Sequence, residues 1–343
     1  MTFETAKHII EKEFEFVEHS QEYDELEIDF MGGEPFMEFN LIRNIVEWIA
    51  STKRPVPWIC FATTNGTLLT PEIKCWMCRN RDKFVAGLSF DGTPEMQDLN
   101  RTQSASKIDI DFFMKLYPFQ GVKMTVSCDS VKKFADGIIF LHKKKIPVSA
   151  NCGYGMPWTT ETYNIYREEL LRLAKFYLAH PKIKPISIFE SKFAYVGKMQ
   201  NHQKFCGTGT AMITYDVDGT IYPCHLFTPI VLGNTEAANL QKKYNFCSET
   251  TYFDKRCEGC CLEHICPTCY GFNYKTTGDI SRRDPTMCEL VKVQTEVSAW
   301  YHLELLKIKS KRKKKISKND LQTASGIVYY FEHPPKSLID RTN

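Results

Sequence analysis

From Thr2 to about residue 195 the sequence alternates short apolar runs with longer runs of helical spacing, and this alternation constrains the fold more than any other feature. Residues 2–19 read as a helix with Ile9, Ile10, Phe14 and Val17 on or near one face, and with Thr2 and Thr5 as candidate N-caps. "LEIDFMGG", "VPWICFATTNG", "FVAGLSFDG", "GVKMTVSCDS", "IPVSANCGYG" and "IKPISIFES" read as six strands. Between them lie the helical runs "FNLIRNIVEWIAS", "TPEIKCWMCRNRDK", "DIDFFMKLY", "VKKFADGIIFLHKKK" and "TTETYNIYREELLRLAKFYLAH". Strands that are apolar on both faces, separated by helices, predict a parallel sheet covered by helices. An open doubly wound sheet or a βα barrel fits, and in both a ligand sits at the carboxyl ends of the strands.

Three successive strand ends carry glycine with a short polar residue: "MGGEP" at 31–35, "TTNG" at 63–66 and "SFDG" at 89–92. Glycine there lets a ligand approach bare backbone. βα loops also favour Gly and Asn for turn geometry alone.

Past residue 195 regular helices give way to cysteine, glycine and short strands. "MITYDVDGTIYPCH" reads as a hairpin turning at Asp218-Gly219. A helix is expected at roughly 288–309, followed by the basic run "KIKSKRKKKISK". That run reads as a solvated linker, with contact to an anionic surface or RNA as the sharper alternative. The net charge of +3 gives no global basic field for nucleic acid. No apolar run is long enough to span a membrane, and the N-terminus is not a signal peptide. A cytoplasmic location is expected.

Nine of the fourteen cysteines fall from Cys206 to Cys288. In a reducing compartment such a cluster points to metal rather than disulfides. Cys60, Cys128 and Cys152, inside apolar runs, read as buried thiols, and Cys75 and Cys78 as core packing in a helix. The spacing is Cys206-x12-Gly219-x4-Cys224, then Cys257-x2-Cys260-x5-Cys266-x2-Cys269, then Cys288. A zinc ribbon separates its two paired knuckles by about 15–20 residues, so the gap of five favours iron–sulfur ligation.

With these residues the chain resembles the radical S-adenosylmethionine enzymes that carry a C-terminal SPASM domain, over nearly its whole length to about residue 300. "MGGEP" is similar to the family's Gly-Gly-Glu-Pro motif, "TTNGTLL" and "LSFDGTPEMQDLNR" to its next two strand ends, and the late cysteines to the seven-cysteine SPASM signature. The resemblance implies a partial (β/α) TIM-like barrel over 1–196, a SPASM domain with its C-terminal helix over 197–309, and a basic linker and tail over 310–343. It implies an S-adenosylmethionine site at Gly32, Gly33, Glu34, Pro35, Asn65, Ser89, Asp91 and Arg101. Glu34 would accept from the methionyl ammonium, Pro35 would fix the turn, and Arg101 would pair with the methionyl carboxylate. It further implies two auxiliary four-iron clusters, the first on Cys206, Cys224 and Cys269, the second on Cys257, Cys260, Cys266 and Cys288. Cys247, Cys261 or a substrate thiolate would complete the first. The spacing departs from the family, which often has three residues where Cys266 and Cys269 are separated by two.

The family's first strand and its Cys-x3-Cys-x2-Cys loop have no counterpart here. The chain reads as truncated, with Met1 internal or a misassigned start. A degenerate descendant, or a partner chain supplying the piece, are the alternatives. Only with that loop would a third four-iron cluster, and so radical chemistry, be available, which leaves it open whether this chain is itself an enzyme. The implied function is maturation of a peptide or protein, with a flavodoxin or ferredoxin as reductant. "GTIYPCHLF", "VLGN" and "CPTCYGFNY" resemble peptide thioether-forming maturases. The sulfatase-maturing branch, which forms formylglycine, commonly has Asp where His225 stands, and His225 is a candidate proton acceptor or hydrogen-bond partner of a cluster. The rival readings are an iron–sulfur electron-transfer module and a zinc-stabilised adaptor.

Overall fold

Thr2 caps the first helix as expected: its side chain accepts from the Thr5 N–H at 3.1 Å. This helix, α1 (Phe3–Glu18), turns Ala6, Ile10, Phe14 and Val17 inward. The structure is a computed structural model and describes residues 1–190, 192–198, 205–313 and 315–339. After α1 come β1 (Leu26–Phe30), α2 (Phe39–Ala50), β2 (Trp58–Thr64), α3 (Pro71–Arg79), β3 (Phe84–Leu88), α4 (Pro94–Asn100) and α5 (Ile110–Leu116). Then follow β4 (Val122–Val126), α6 (Phe134–Lys143), β5 (Val148–Cys152) and α7 (Thr160–Ala179).

β1, β2 and β3 form one parallel sheet in chain order, with Ile28 opposite Cys60 and Ala62 opposite Ala86. Ser89 bridges to Lys123, and β4 pairs with β5. Five of the six expected strands therefore form, in an α/β fold with small sheets. The sixth does not. The stretch expected as "IKPISIFES" makes a 3-10 turn at Ser187–Phe189, and Ser191 lies outside the described residues. Pro185 has no N–H to give a ladder, and the Ile186 N–H donates to the Tyr177 hydroxyl at 3.3 Å.

The chain clusters into two compact units. One comprises 1–125, 140–149 and 215–221; the other comprises 126–139, 150–214 and 222–343. In the first, Ile45, Val46 and Ile49 of α2 and Trp76 and Met77 of α3 join Cys60, Ala62, Phe84 and Leu88 of the sheet in one core. Each such fully buried large side chain contributes roughly 1.5–3 kcal/mol. Cys75 and Cys78 correct the core reading: both are exposed on α3. Ile73, Trp76 and Met77 share the inward face at the i, i+3, i+4 spacing, which turns the two thiols outward. The hairpin belongs to this unit through its tip. β6 (Thr214–Tyr215) and β7 (Ile221–Tyr222) are joined by a turn in which Gly219 has φ +88°, a conformation glycine adopts without strain. The Tyr215 hydroxyl donates to Glu13 of α1 at 2.5 Å.

In the second unit the chain continues through α8 (Pro229–Leu232), α9 (Asn234–Lys243), α10 (Tyr270–Thr277), α11 (Pro285–Lys311) and α12 (Lys318–Glu332). Helices thus persist in the cysteine-rich region, against the expectation that they stop. α7 and α11 are tied by Arg167 to Glu296 at 3.2 Å and by Gln294 to the Tyr166 hydroxyl at 3.0 Å. Beyond the basic run the tail, for which the sequence gives no role, is helical. α12 is closed by a capping box, in which the Ser317 hydroxyl accepts from the Asp320 N–H and Asp320 accepts from the Ser317 N–H. It docks on the Phe193–Tyr195 turn, with Gly326 against the Phe193 carbonyl. Among the described residues no helix is long and apolar enough to cross a membrane.

Candidate functional site

Each of the first three strand ends contributes to one polar network. Glu34 caps the 3-10 turn Pro35–Glu38, with Pro35 at its first position, as the turn-fixing role of proline requires. The Glu34 Oε1 accepts from the Thr64 hydroxyl at 2.7 Å and from the Phe36 N–H at 3.1 Å; its Oε2 accepts from the Asn65 N–H at 2.7 Å. A carboxylate has about four acceptor positions, so three are used and one stays open. Asn65 turns its own Oδ1 back to the Thr67 N–H and hydroxyl, at 2.9 and 2.8 Å. The Ser89 N–H donates to the Thr64 carbonyl at 2.9 Å.

Gly32 and Gly33 lie beside this carboxylate in sequence. Neither has positive φ, and a Cβ built on either meets nothing within 4 Å. Neither backbone conformation nor packing within the chain calls for glycine, so the space they leave suits a group brought from outside.

The third strand end is engaged differently from the simple expectation. Asp91 is 1% exposed. Its Oδ1 accepts from the Thr125 N–H at 2.8 Å and Arg101 Nη2 at 3.3 Å; its Oδ2 accepts from Arg101 Nε at 2.8 Å and Asn100 Nδ2 at 3.2 Å. All acceptor positions are thereby taken, and Asp91 serves to position Arg101. The Arg101 side chain remains 30% exposed. Gln97, which the sequence reading missed, is fully buried: it accepts from the Asp91 N–H at 2.8 Å and donates to the Ser104 hydroxyl at 2.9 Å.

In the second unit the thiols sort into two groups. Cys257, Cys260, Cys266 and Cys288 line one cavity, together with Arg283, Met287 and Leu338. Burial pushes the Cys257 thiol up to about 12 and Cys288 to about 11. The Arg283 charge partly offsets burial at Cys257 and Cys266. Four thiols round a cavity supply the ligand number that a four-iron cluster takes. Among the described residues no three His, Cys, Asp or Glu side chains converge on a single-ion site.

Cys206, Cys224 and Cys269 form the other group. Burial raises the Cys224 thiol to about 11, and the neighbouring Cys269 and Cys206 push in the same direction. Cys206 Sγ lies 2.9 Å from the Thr208 hydroxyl, which also bonds to Cys224. Of the two candidates to complete this group, Cys247 lies near: its thiol donates to the Gly209 carbonyl at 3.8 Å, and Tyr252 neighbours Cys206, Cys224 and Cys247 together. Cys261 instead packs with Leu262, Val291 and Ile327 in an apolar cluster. His225 follows Cys224 in sequence and is exposed. Arg283, Thr208 and Leu338 escaped the sequence reading. Thr208 lies two residues from Cys206, whereas Arg283 and Leu338 have no neighbouring cysteine along the chain to signal them.

No family model matches this sequence, and no curated protein does. Solved structures resemble it. Native anSMEcpe with bound AdoMet and Kp18Cys peptide has a TM-score of 0.63 at 17% identity, over 89% of this chain and 90% of that one. Native anSMEcpe with bound AdoMet has 0.63 at 18% identity, over 85% and 87%. Streptococcus suis SuiB bound to S-adenosylmethionine has 0.51 at 14% identity, over 84% and 70%. Identities this low speak for architecture rather than for substrate. Over most of its length this chain has the fold seen in the anSMEcpe and SuiB structures.

Proposed function

We propose that the chain acts in peptide maturation of the radical S-adenosylmethionine/SPASM type, with a partial barrel over 1–196 and auxiliary-cluster residues over 197–309, the radical step itself depending on a Cys-x3-Cys-x2-Cys loop that these residues do not carry. The single observation that carries this reading is the sorting of seven thiols into the two groups that the motif resemblance implies. The strand ends support it. Gly32 and Gly33 leave room for a methionyl group, the open acceptor position of Glu34 suits its ammonium, and Arg101, oriented by Asp91, suits its carboxylate. When bound, the cofactor supplies one-electron chemistry. The chain's own residues bind it, hold the iron and orient the substrate. A peptide substrate is supported by the anSMEcpe structure, which contains one. Thioether formation is the reaction favoured by the "GTIYPCHLF" and "CPTCYGFNY" resemblances, with a flavodoxin or ferredoxin as the reductant.

The test is iron, sulfide and zinc per chain on protein made and kept without oxygen. About seven to eight irons with matching sulfide, and no zinc, is the expected result from ligand counting. Zinc with little iron would overturn the reading and make the thiols structural.

A further inference from the structure

The cavity lined by Cys257, Cys260, Cys266 and Cys288 also receives a half-buried cation. Arg283 Nη1 donates to the Cys266 carbonyl at 3.1 Å, and the guanidinium lies 5.7 Å from the Phe205 ring centroid. Its Nε is shut off from solvent and has no hydrogen-bond acceptor among the described residues. An unmade hydrogen bond on a buried charged group is costly, so this donor calls for an explanation.

The surrounding loop is built to hold the side chain there. The Arg283 N–H donates to Asp254 Oδ2 at 2.8 Å, and the Arg283 carbonyl accepts from Arg256 Nη2 at 2.8 Å. Asp254 does not neutralise the Arg283 guanidinium. Its carboxylate is forked by Arg256 at 2.7 and 3.1 Å. The Arg283 charge is left facing the thiols. Leu338 also lines the cavity and is itself buried.

We propose that Arg283 is the cationic hydrogen-bond donor to the iron–sulfur cluster of this cavity, and that it raises the reduction potential of that cluster. The inference rests on the reading above that these four thiols hold such a cluster. An iron–sulfur core with four thiolates is anionic, its sulfides accept hydrogen bonds, and both nearby positive charge and N–H donors favour the reduced form. Arg283 offers both, and the buried Leu338 side chain adds apolar lining to the cavity. Arg283 is thus a positioning and tuning residue rather than a ligand.

The test uses the full chain, reconstituted with iron and sulfide without oxygen, and a redox titration followed by electron paramagnetic resonance. The signal that disappears in Cys288→Ala identifies the cluster. Arg283→Gln should keep the iron content and shift the one-electron equilibrium of that signal at least about tenfold toward the oxidised form, a fall of about 59 mV. Arg283→Lys keeps the charge without the Nε–H and should shift it less. Arg282→Gln, which removes an exposed neighbouring charge, should leave it in place. If Cys288→Ala and Cys257→Ala change neither iron content nor signal, the cluster reading itself fails. If those variants lose the signal but Arg283→Gln leaves its potential unmoved, the inference about Arg283 fails alone. Loss of the cluster from both Arg283 variants, with the helical fold retained by circular dichroism, also overturns it, since a tuning residue is dispensable for iron binding.

Discussion

Glu34 ties two strand ends together with one carboxylate: Oε1 spans the Thr64 hydroxyl and the Phe36 N–H, and Oε2 takes the Asn65 N–H. A charged acceptor that receives bonds from the next strand end is hard to replace. Glu34→Gln keeps the shape but puts an NH2 group against a donor on one side. Hydrogen bonds to a charged group contribute about 1.5–3 kcal/mol, so the variant should lose roughly that much unfolding free energy in a urea melt. S-adenosylmethionine binding, measured by calorimetry, should weaken at least about tenfold. Unchanged binding alongside lost stability would reduce Glu34 to a structural brace. Asp91 illustrates the complementary case. As a sequence position it looked like a ligand contact, yet four internal donors occupy it, and its effect passes through Arg101.

At the scale of elements, α12 is the informative case. Gly326 lies in the middle of a helix, where alanine would ordinarily stabilise by about 1 kcal/mol. Here a Cβ would run into the backbone carbonyl of Phe193, which cannot rotate away as a flexible side chain would. Overpacking of this kind costs about 1–3 kcal/mol, so the clash outweighs the propensity. Gly326→Ala should lower the denaturation midpoint of the chain; a raised midpoint would show that α12 is loosely attached.

This helix also shows what the sequence made legible. Period carried the first half, where Thr2 caps α1 as expected, while the Ser-x-x-Asp cap at Ser317 opens a helix absent from the sequence expectations. The sixth strand fails at Pro185, which has no N–H for a ladder, and at Ile186, whose N–H is captured by a hydroxyl from α7. The thiol groups were legible because ligand spacing is local. Arg283 was not, because its position depends on Asp254 and Arg256 folding back on its own backbone.

Both units bury tyrosine hydroxyls, Tyr117 in the first and Tyr166 and Tyr177 in the second. Burial raises each above the ordinary value of 10. The folded state therefore keeps its protons where the unfolded chain releases them. The stability these groups contribute is fully present below about pH 10 and declines as pH rises toward the folded values. Alkaline titration should show tyrosinate absorbance from these residues appearing together with loss of circular dichroism. Ionisation of all the tyrosines well before unfolding would contradict the burial.

The Tyr215–Ile221 hairpin tip, drawn from the thiol-rich stretch of sequence, packs with the unit built on the parallel sheet, where Tyr215 bonds to Glu13. Neither unit is therefore a continuous length of chain. A single cut anywhere between them would separate a structure from part of itself. Exchange of the cysteine-rich stretch with a relative would also exchange a piece of the other unit's surface. Modularity that looks plain along the chain is absent in space.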